Sequence, residues 1–453
     1  MIRLCRLSAS VLLFAFLSFL LVFQSAYAVL PVLAVGMALL CLAACQREAG
    51  RLAADDIAIL LVLMVFSLLW LADVWRAGQW PVGAGGEGRW LPVWPLFAGL
   101  VLLAWRRVPP SPMVWWWGVA VGALFAGGIA AYEHFWLGRW RPDNGMNAIP
   151  FGNIALLLGT LSLVALVSLR GERAGRLGVW QKALLVLAAL AGLLASVLSG
   201  TRGGWVVFPT LALLVCVAAF VSLPRRRMVA LVAILMATLL AMAFLPRASV
   251  TARVGEGVEN LQRYTQGEAG SSLGLRLEMW RAGWLLIQHK PLLGWGEGKL
   301  ESQRDLWVAE GRFNRGVSRY DQLHSDTVDT FARRGVVGLV SLLALYLLPL
   351  GLFCRYWYRG VKARNREVQA FALSGALVVV AFMGFGLSQS MLRDPRGLAG
   401  FLGLLVACWC LLKRAAESQA YVGLRPSTSL CPWVNTTYEW MVCFVVCRYR
   451  LSQ

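Results

Sequence analysis

The chain has 453 residues, of which 59% are hydrophobic and 15% charged, with a formal net charge of +20. A mean hydropathy of +0.65 excludes an ordinary soluble domain. The basic excess reads as a membrane-orientation signal and not as a nucleic-acid footprint, because the cations gather at the ends of apolar segments.

The first segment has a basic start at Arg3 and Arg6, an apolar stretch Val11–Phe23, and then Ala26-Tyr27-Ala28, the order of a cleaved signal peptide. A second apolar stretch follows at once, so it is read here as an uncleaved first span. Further on, Ile57–Leu71, Ile154–Leu169, Ala183–Leu198 and Met228–Leu245 carry no charge. Each approaches one bilayer crossing, about 20 residues of helix. In lipid the backbone must satisfy its own hydrogen bonds, so an open chain crosses as helix. The expected spans are 8–24, 28–45, 57–74, 92–105, 113–132, 148–169, 181–198, 204–222, 228–245, 335–354, 368–388 and 397–412, about twelve in all. The fold class is thus all-α, a polytopic membrane protein. Helices 1–9 occupy 1–245, a long loop or lid 246–333, helices 10–12 residues 334–415, and an inward tail 416–453.

Charge orients this ladder. With the N-terminus inside, the inward loops carry Arg3 and Arg6; Arg47 and Arg51; Arg106 and Arg107; Arg170, Arg173 and Arg176; Arg225, Arg226 and Arg227; Arg355, Arg359, Lys362, Arg364 and Arg366; and Lys413 and Arg414. The short outward loops hold far fewer, among them Arg139, Arg141 and Arg202. The ten cysteines fall in spans, at inward ends or in the tail (Cys431, Cys443, Cys447), so free thiols are expected. Cys408 and Cys410 stand about 200° apart around a helix, which is wrong for a shared metal. Tryptophans such as Trp75, Trp80, Trp90 and Trp136 read as interfacial belts.

The lid holds His289 and His324, two of the three histidines. Residues 247–270 read as irregular or partly helical. Ser271 or Ser272 can cap a helix to about Gln288, whose Leu277, Trp280, Trp284 and Ile287 recur at helical spacing and can lie against membrane or bundle. Pro291 and Gly294-Trp-Gly296 stop it; a second helical piece covers about 297–310, and Ser325 caps the helix entering the next span.

Three constellations carry chemistry. Ser199-Gly-Thr-Arg202-Gly-Gly holds Arg202 in a tight outward hairpin, where it either grips an anion through its planar fork or snorkels to fix a helix end. Arg276 is placed in the first turn of the lid helix, where a cation opposes the helix dipole; it serves an anion or pairs with Glu278 or Glu268. His324 stands where the lid returns to the membrane, near Asp321, Asp326 and Asp329. It is either a capping residue or a base taking a proton from a hydroxyl, with Asp326 a possible helper.

Together these pieces resemble the O-antigen ligase and O-antigen polymerase superfamily. The likeness covers roughly residues 140–400 and rests on Ser-Gly-Thr-Arg202-Gly, on Arg276-x-x-x-Trp280 with Pro291-Leu-Leu-Gly-x-Gly, and on His324-Ser-Asp followed by Gly335-x-x-Gly338. Where the family often has Asn, this chain has Ser325 or Asp326. The resemblance implies a bacterial inner-membrane enzyme with a periplasmic loop between helices 9 and 10 and its active site facing the periplasm. The implied reaction is a ligase transfer of polysaccharide from undecaprenyl diphosphate to a sugar hydroxyl of lipid A–core, metal-independent, inverting and without cofactor. His324 would be the base. Arg202 and Arg276, with Arg141 and Arg139 behind them, would hold the diphosphate. The alternative within the superfamily is a polymerase extending the lipid-linked chain. Membrane lipids are the remaining partners, and nucleic acid is none. A transporter would want intramembrane carboxylates, of which the spans hold little beyond Asp73 and Glu133. A haem protein would want paired outward histidines from among His134, His289 and His324.

Overall fold

Uncharged runs of this length can bury their backbone only as helices, and the computed structural model of the chain is helical with no strand among the described residues. Those residues are 1–44, 52–82, 88–168, 178–222, 224–226, 228–229, 232–233, 250–266 and 268–423. Among the described residues, ten helices are long and apolar enough to cross a membrane. They are α1 (Ile2–Phe19), α2 (Ala26–Ala44), α3 (Ala54–Ala77), α5 (Pro112–Ala131, prolonged by a π turn to Trp136), α6 (Ala148–Ser168), α7 (Val179–Leu198), α8 (Arg202–Ser222), α12 (Asp326–Lys362), α13 (Arg366–Phe385) and α14 (Pro395–Gly423). The expected fourth span is α4 (Trp94–Arg107), 14 residues and shorter than a crossing. Most of the expected ninth span, 228–245, lies outside the described residues. So do Arg47, Arg51, Arg170, Arg173, Arg176, Arg227, Cys45 and the tail cysteines Cys431, Cys443 and Cys447. Helices and lid belong to the unit Met1–Arg414; the second unit, Ala415–Gln453, is described only to Gly423, where it is helical.

The chain is a polytopic helical membrane protein with α6 at its centre. That helix is apolar nearly all round and packs on α5, α7, α8 and α13, which is the pattern of a core helix. Contact with α7 is made backbone to backbone: a Cβ on Gly192 would stand 2.9 Å from the Gly159 Cα, so small residues set the approach. Helix α3 shows how charge sorts to opposite ends. At one end Asp56 pairs with Arg106 at 2.9 Å and accepts from the Trp409 indole at 2.8 Å, while Asp55 meets Arg355 at 3.3 Å. At the other end Arg76, paired with Asp73, meets the lid. The predicted inward cations Arg106 and Arg355 therefore share the end away from the lid. The six described cysteines, Cys5, Cys41, Cys216, Cys354, Cys408 and Cys410, are free thiols.

The lid comprises α9 (Val250–Thr265), α10 (Ser272–His289), α11 (Lys299–Ala309) and a 3-10 turn Arg315–Arg319. Ser271 caps α10, its hydroxyl accepting from the Gly274 amide at 3.0 Å. The lid has a core of its own, in which Met279, Ala282 and Leu286 of α10 pack with Leu300, Trp307, Phe313, Val317 and Leu323. Of the expected stripe, Leu277, Trp280, Trp284 and Ile287, only Ile287 is buried within the protein, and Trp284 is 58% exposed, so most of that face is left to the outside of the lid core. The buried face of the helix meets apolar partners from α11, the 3-10 turn, the loop before Asp326 and the helix Asp326–Lys362.

Two features dock the lid. At Gly335 the backbone leaves the helix with φ 63°, freeing the carbonyls of the preceding turn. The strip Pro291–Gly296 uses them: the Trp295 amide donates to Ala332 at 3.0 Å and the Gly296 amide to Arg333 at 2.8 Å, while the Val336 amide donates back to Pro291 at 2.8 Å. A side chain on Gly335 would collide with the Leu292 carbonyl, so the strip requires glycine there. Beneath it Arg333, fully buried, pairs with Glu297 at 3.1 Å, Glu301 at 2.7 Å and Asp329 at 2.9 Å. Arg393 joins Glu297 at 2.8 Å, and the Trp70 indole donates to the same carboxylate at 3.1 Å. Burial works against the Glu297 charge, but the guanidinium groups of Arg393, Arg333 and Arg334 more than offset it and hold its carboxyl down at about 2. Removing one partner from such a network leaves buried charges uncompensated, at about 3–5 kcal/mol. Arg333→Leu is accordingly expected to lower the unfolding midpoint of the detergent-solubilised protein and to open residues 250–323 to protease; a variant as resistant as wild type would contradict this anchoring.

Candidate functional site

The site forms where the docked lid, the α7–α8 hairpin and the turn between α13 and α14 meet. At the hairpin, Gly200 takes φ 68° and reverses the chain. The Ser199 hydroxyl donates to the Ser196 carbonyl at 2.9 Å, and the Arg141 Nε donates to the Ser199 carbonyl at 2.9 Å. Arg202 follows as the first residue of α8. Arg141 is delivered by a loop that buried Glu133 organises, accepting the Asp143 and Asn144 amides at 2.9 and 3.0 Å. The same Glu133 pairs with Arg139 at 2.6 Å, and Asp143 lies 3.7 Å from that guanidinium, so the charge of Arg139 is balanced locally.

Arg276 comes from the lid. With Ser271 as cap it is the fifth residue of α10, beyond the first turn, so the dipole cost expected for it does not apply. Glu278, a partner anticipated from sequence, is taken by Arg281 at 3.3 Å and by the Tyr264 hydroxyl at 2.8 Å. Among the described residues no carboxylate pairs with Arg276. Burial disfavours its charge, and the nearby guanidinium groups of Arg141 and Arg202 disfavour it further, together lowering its pKa. Guanidinium groups from two other segments are thus close enough to act on Arg276.

His324 lies beside them, 8% exposed, with φ 51°, a left-handed conformation uncommon for a residue other than glycine. Its ring meets Tyr320 edge to face at 4.9 Å, and its Nδ1 is 2.6 Å from Gln389 Oε1. Ser325 then caps α12. Burial pushes the imidazole below its ordinary pKa of 6.5 and Arg276 adds to this, opposed by the Gln389 contact and by Asp329 and Asp321. A neutral imidazole with an available nitrogen is a proton acceptor.

Asp326 does not touch the imidazole. Its carboxylate accepts from the Leu392 amide at 3.0 Å and from Tyr346 at 3.3 Å, and its amide donates to Gly386 at 2.8 Å. It anchors the turn that carries Gln389, and Gln389 is the imidazole's neighbour. The sequence signal for that residue was the polar run Ser388-Gln-Ser390 between two apolar helices. The same turn approaches α8, since a Cβ on Gly203 would stand 2.7 Å from the Ser388 hydroxyl, which brings Arg202 and His324 into one neighbourhood. The other histidines are elsewhere employed: His134 contacts the Arg139 carbonyl at 3.1 Å and His289 the Leu285 carbonyl at 2.8 Å. Among the described residues no trio of His, Cys, Asp or Glu is grouped for a metal ion.

Fold and site define a multi-pass membrane protein with an arginine group and a buried imidazole under a docked lid. Residues 183–343 match the O-antigen ligase family, a stretch that includes Arg202, Arg276 and His324. Over 303 residues the chain is 24% identical to an uncharacterized protein of Haemophilus influenzae, covering 67% of this chain and 74% of that protein. Over 212 residues it is 27% identical to an O-antigen ligase of Escherichia coli K12, covering 46% of each. Over that stretch the chain is similar to O-antigen ligases.

Because burial and Arg276 both disfavour the imidazolium, the His324 signal in a pH titration by NMR is expected to shift at a pH below 6.5. Titration at or above that value would contradict the environment described.

Proposed function

We propose that the chain is a ligase that moves a polysaccharide from undecaprenyl diphosphate to a sugar hydroxyl of lipid A–core, on the periplasmic face of the bacterial inner membrane. The observation that carries this reading is the grouping of Arg276 with Arg141 and Arg202, without a carboxylate on Arg276 among the described residues, next to His324. Like charges gathered in a low-dielectric site repel one another, and an anionic ligand relieves the repulsion. Guanidinium suits a diphosphate because its planar fork donates paired hydrogen bonds and keeps its charge.

The chemistry follows from that placement. His324 accepts the proton of the acceptor hydroxyl as its oxygen forms the new bond to the anomeric carbon. The bond from that carbon to the diphosphate breaks on the opposite face, inverting the centre. Charge developing on the departing diphosphate falls to Arg202, Arg276 and Arg141, each preorganised donor contributing about 3–4 kcal/mol to the transition state. A diphosphate is a good leaving group, so arginines suffice for charge stabilisation and transfer is expected to proceed in chelator. Arg139, held by Glu133 and Asp143, stands behind this set.

The test is transfer by purified protein between lipid-diphosphate-linked glycan and lipid A–core, without nucleotide. His324→Ala is expected to lower the rate at least ~100-fold while donor binding and thermal stability persist. Near-normal transfer by that variant would remove His324 as the base. Arg276→Gln should weaken donor binding about tenfold or more, whereas Arg139→Gln should change it little. Cells lacking the protein should accumulate lipid-linked polymer and bare core; core bearing a single repeat would instead indicate chain polymerisation.

A further inference from the structure

We propose that Gln389 is a positioning residue that holds His324 with its proton on Nδ1, leaving the Nε2 lone pair for the acceptor hydroxyl; this rests on the reading of His324 as the base. An amide oxygen can only accept a hydrogen bond, so a 2.6 Å contact from Gln389 Oε1 places the proton on the imidazole Nδ1. The other ring nitrogen is then the basic one, and the edge-to-face contact with Tyr320 at 4.9 Å fixes the ring plane.

The surroundings of Gln389 suit that task. The residue is 1% exposed and sits on a turn held from two sides. Asp326 holds it through the Gly386 carbonyl and the Leu392 amide, and Glu297 holds it through Arg393 at 2.8 Å. Asp326, the helper expected from sequence, thus bears on the imidazole only through this turn. Meanwhile the Gln389 amide nitrogen is buried with no hydrogen-bond partner among the described residues. A buried amide that satisfies one end only costs stability compared with an apolar side chain of the same size. Packing alone gives no reason for glutamine here, whereas orienting an imidazole requires its oxygen.

Neutrality of the partner matters as well. The charged or titratable groups facing His324 are Arg276 of α10, Tyr320 and Asp321 of the preceding loop, and Asp329 of α12. The Asp329 carboxylate is itself committed to Arg333 and Arg393. A carboxylate in place of Gln389 would orient the ring equally but would stabilise the imidazolium and deplete the base at a given pH. The amide's hydrogen bond also favours the imidazolium, but it brings no negative charge to add to that effect.

Variants Gln389→Leu and Gln389→Glu of the full-length protein test this in the transfer assay with lipid-diphosphate-linked glycan and lipid A–core. The Leu variant is expected to lose roughly 100-fold in kcat with KM for both substrates within about threefold, as for a misoriented base. The Glu variant is expected to restore most of the rate and to move the acid limb of the kcat–pH profile to higher pH. Independently of activity, nitrogen chemical shifts should show His324 protonated at Nδ1 in wild type and mixed between tautomers in the Leu variant. A Leu variant with wild-type kcat, an unmoved acid limb in the Glu variant, or an Nε2-protonated wild type would each overturn the proposal. If the Leu variant fails to fold, the Glu profile and the wild-type shifts decide. Absence of transfer by the wild-type chain would defeat the functional reading alone, since the nitrogen shifts are read without substrate.

Discussion

One buried ion network fixes the relation between lid and bundle. Arg333 has no exposed surface, and a guanidinium in that position is tolerable only with close anionic partners. It finds Glu297 and Glu301 on the lid and Asp329 on its own helix, and Glu297 in turn binds Arg393 and the Trp70 indole. Four stretches of chain distant in sequence therefore meet around one carboxylate. Replacing any of them by an uncharged group would unbalance the rest, so lid position and site geometry are set together.

The helix break at Gly335 serves the same end by a different interaction. An uninterrupted helix would use the Ala332 and Arg333 carbonyls internally; the break releases them to the Trp295 and Gly296 amides. Arg76 adds a third tie, donating to the Leu293 carbonyl at 2.7 Å and to Asp73 at 2.7 Å. The glycines of the Pro291-Leu-Leu-Gly-Trp-Gly stretch thus hold the lid in place, and Arg276 and His324, anchored on either side of it, are brought against the α7–α8 hairpin.

Arginine has two employments here, and its partners distinguish them. Arg333, Arg393, Arg76 and Arg139 face carboxylates and serve the architecture. Arg276 faces other cations, the arrangement on which the proposed anionic-donor site rests. His324 shares that field, which favours its neutral form. Gln389 completes the arrangement from a turn that belongs to neither the lid nor the hairpin.

The sequence alone settled what hydrophobic length and charge can settle. It determined the helical class, most of the spans, the placing of Arg106 and Arg355 away from the lid, and caps such as Ser271 and Ser325, because these depend on local pattern and on the bilayer. It also singled out Arg202, Arg276 and His324, since polar groups stand out in an apolar chain. Which residues of α10 form the lid core was not legible, because their partners Trp307, Phe313 and Leu323 come from later elements. Nor was the neighbour of His324: Asp326 is two residues away in sequence but bonds to Leu392, whereas Gln389, 65 residues away, reaches the imidazole. Those assignments depend on where the turn between α13 and α14 comes to rest, and only the tertiary packing of helices against the lid decides that.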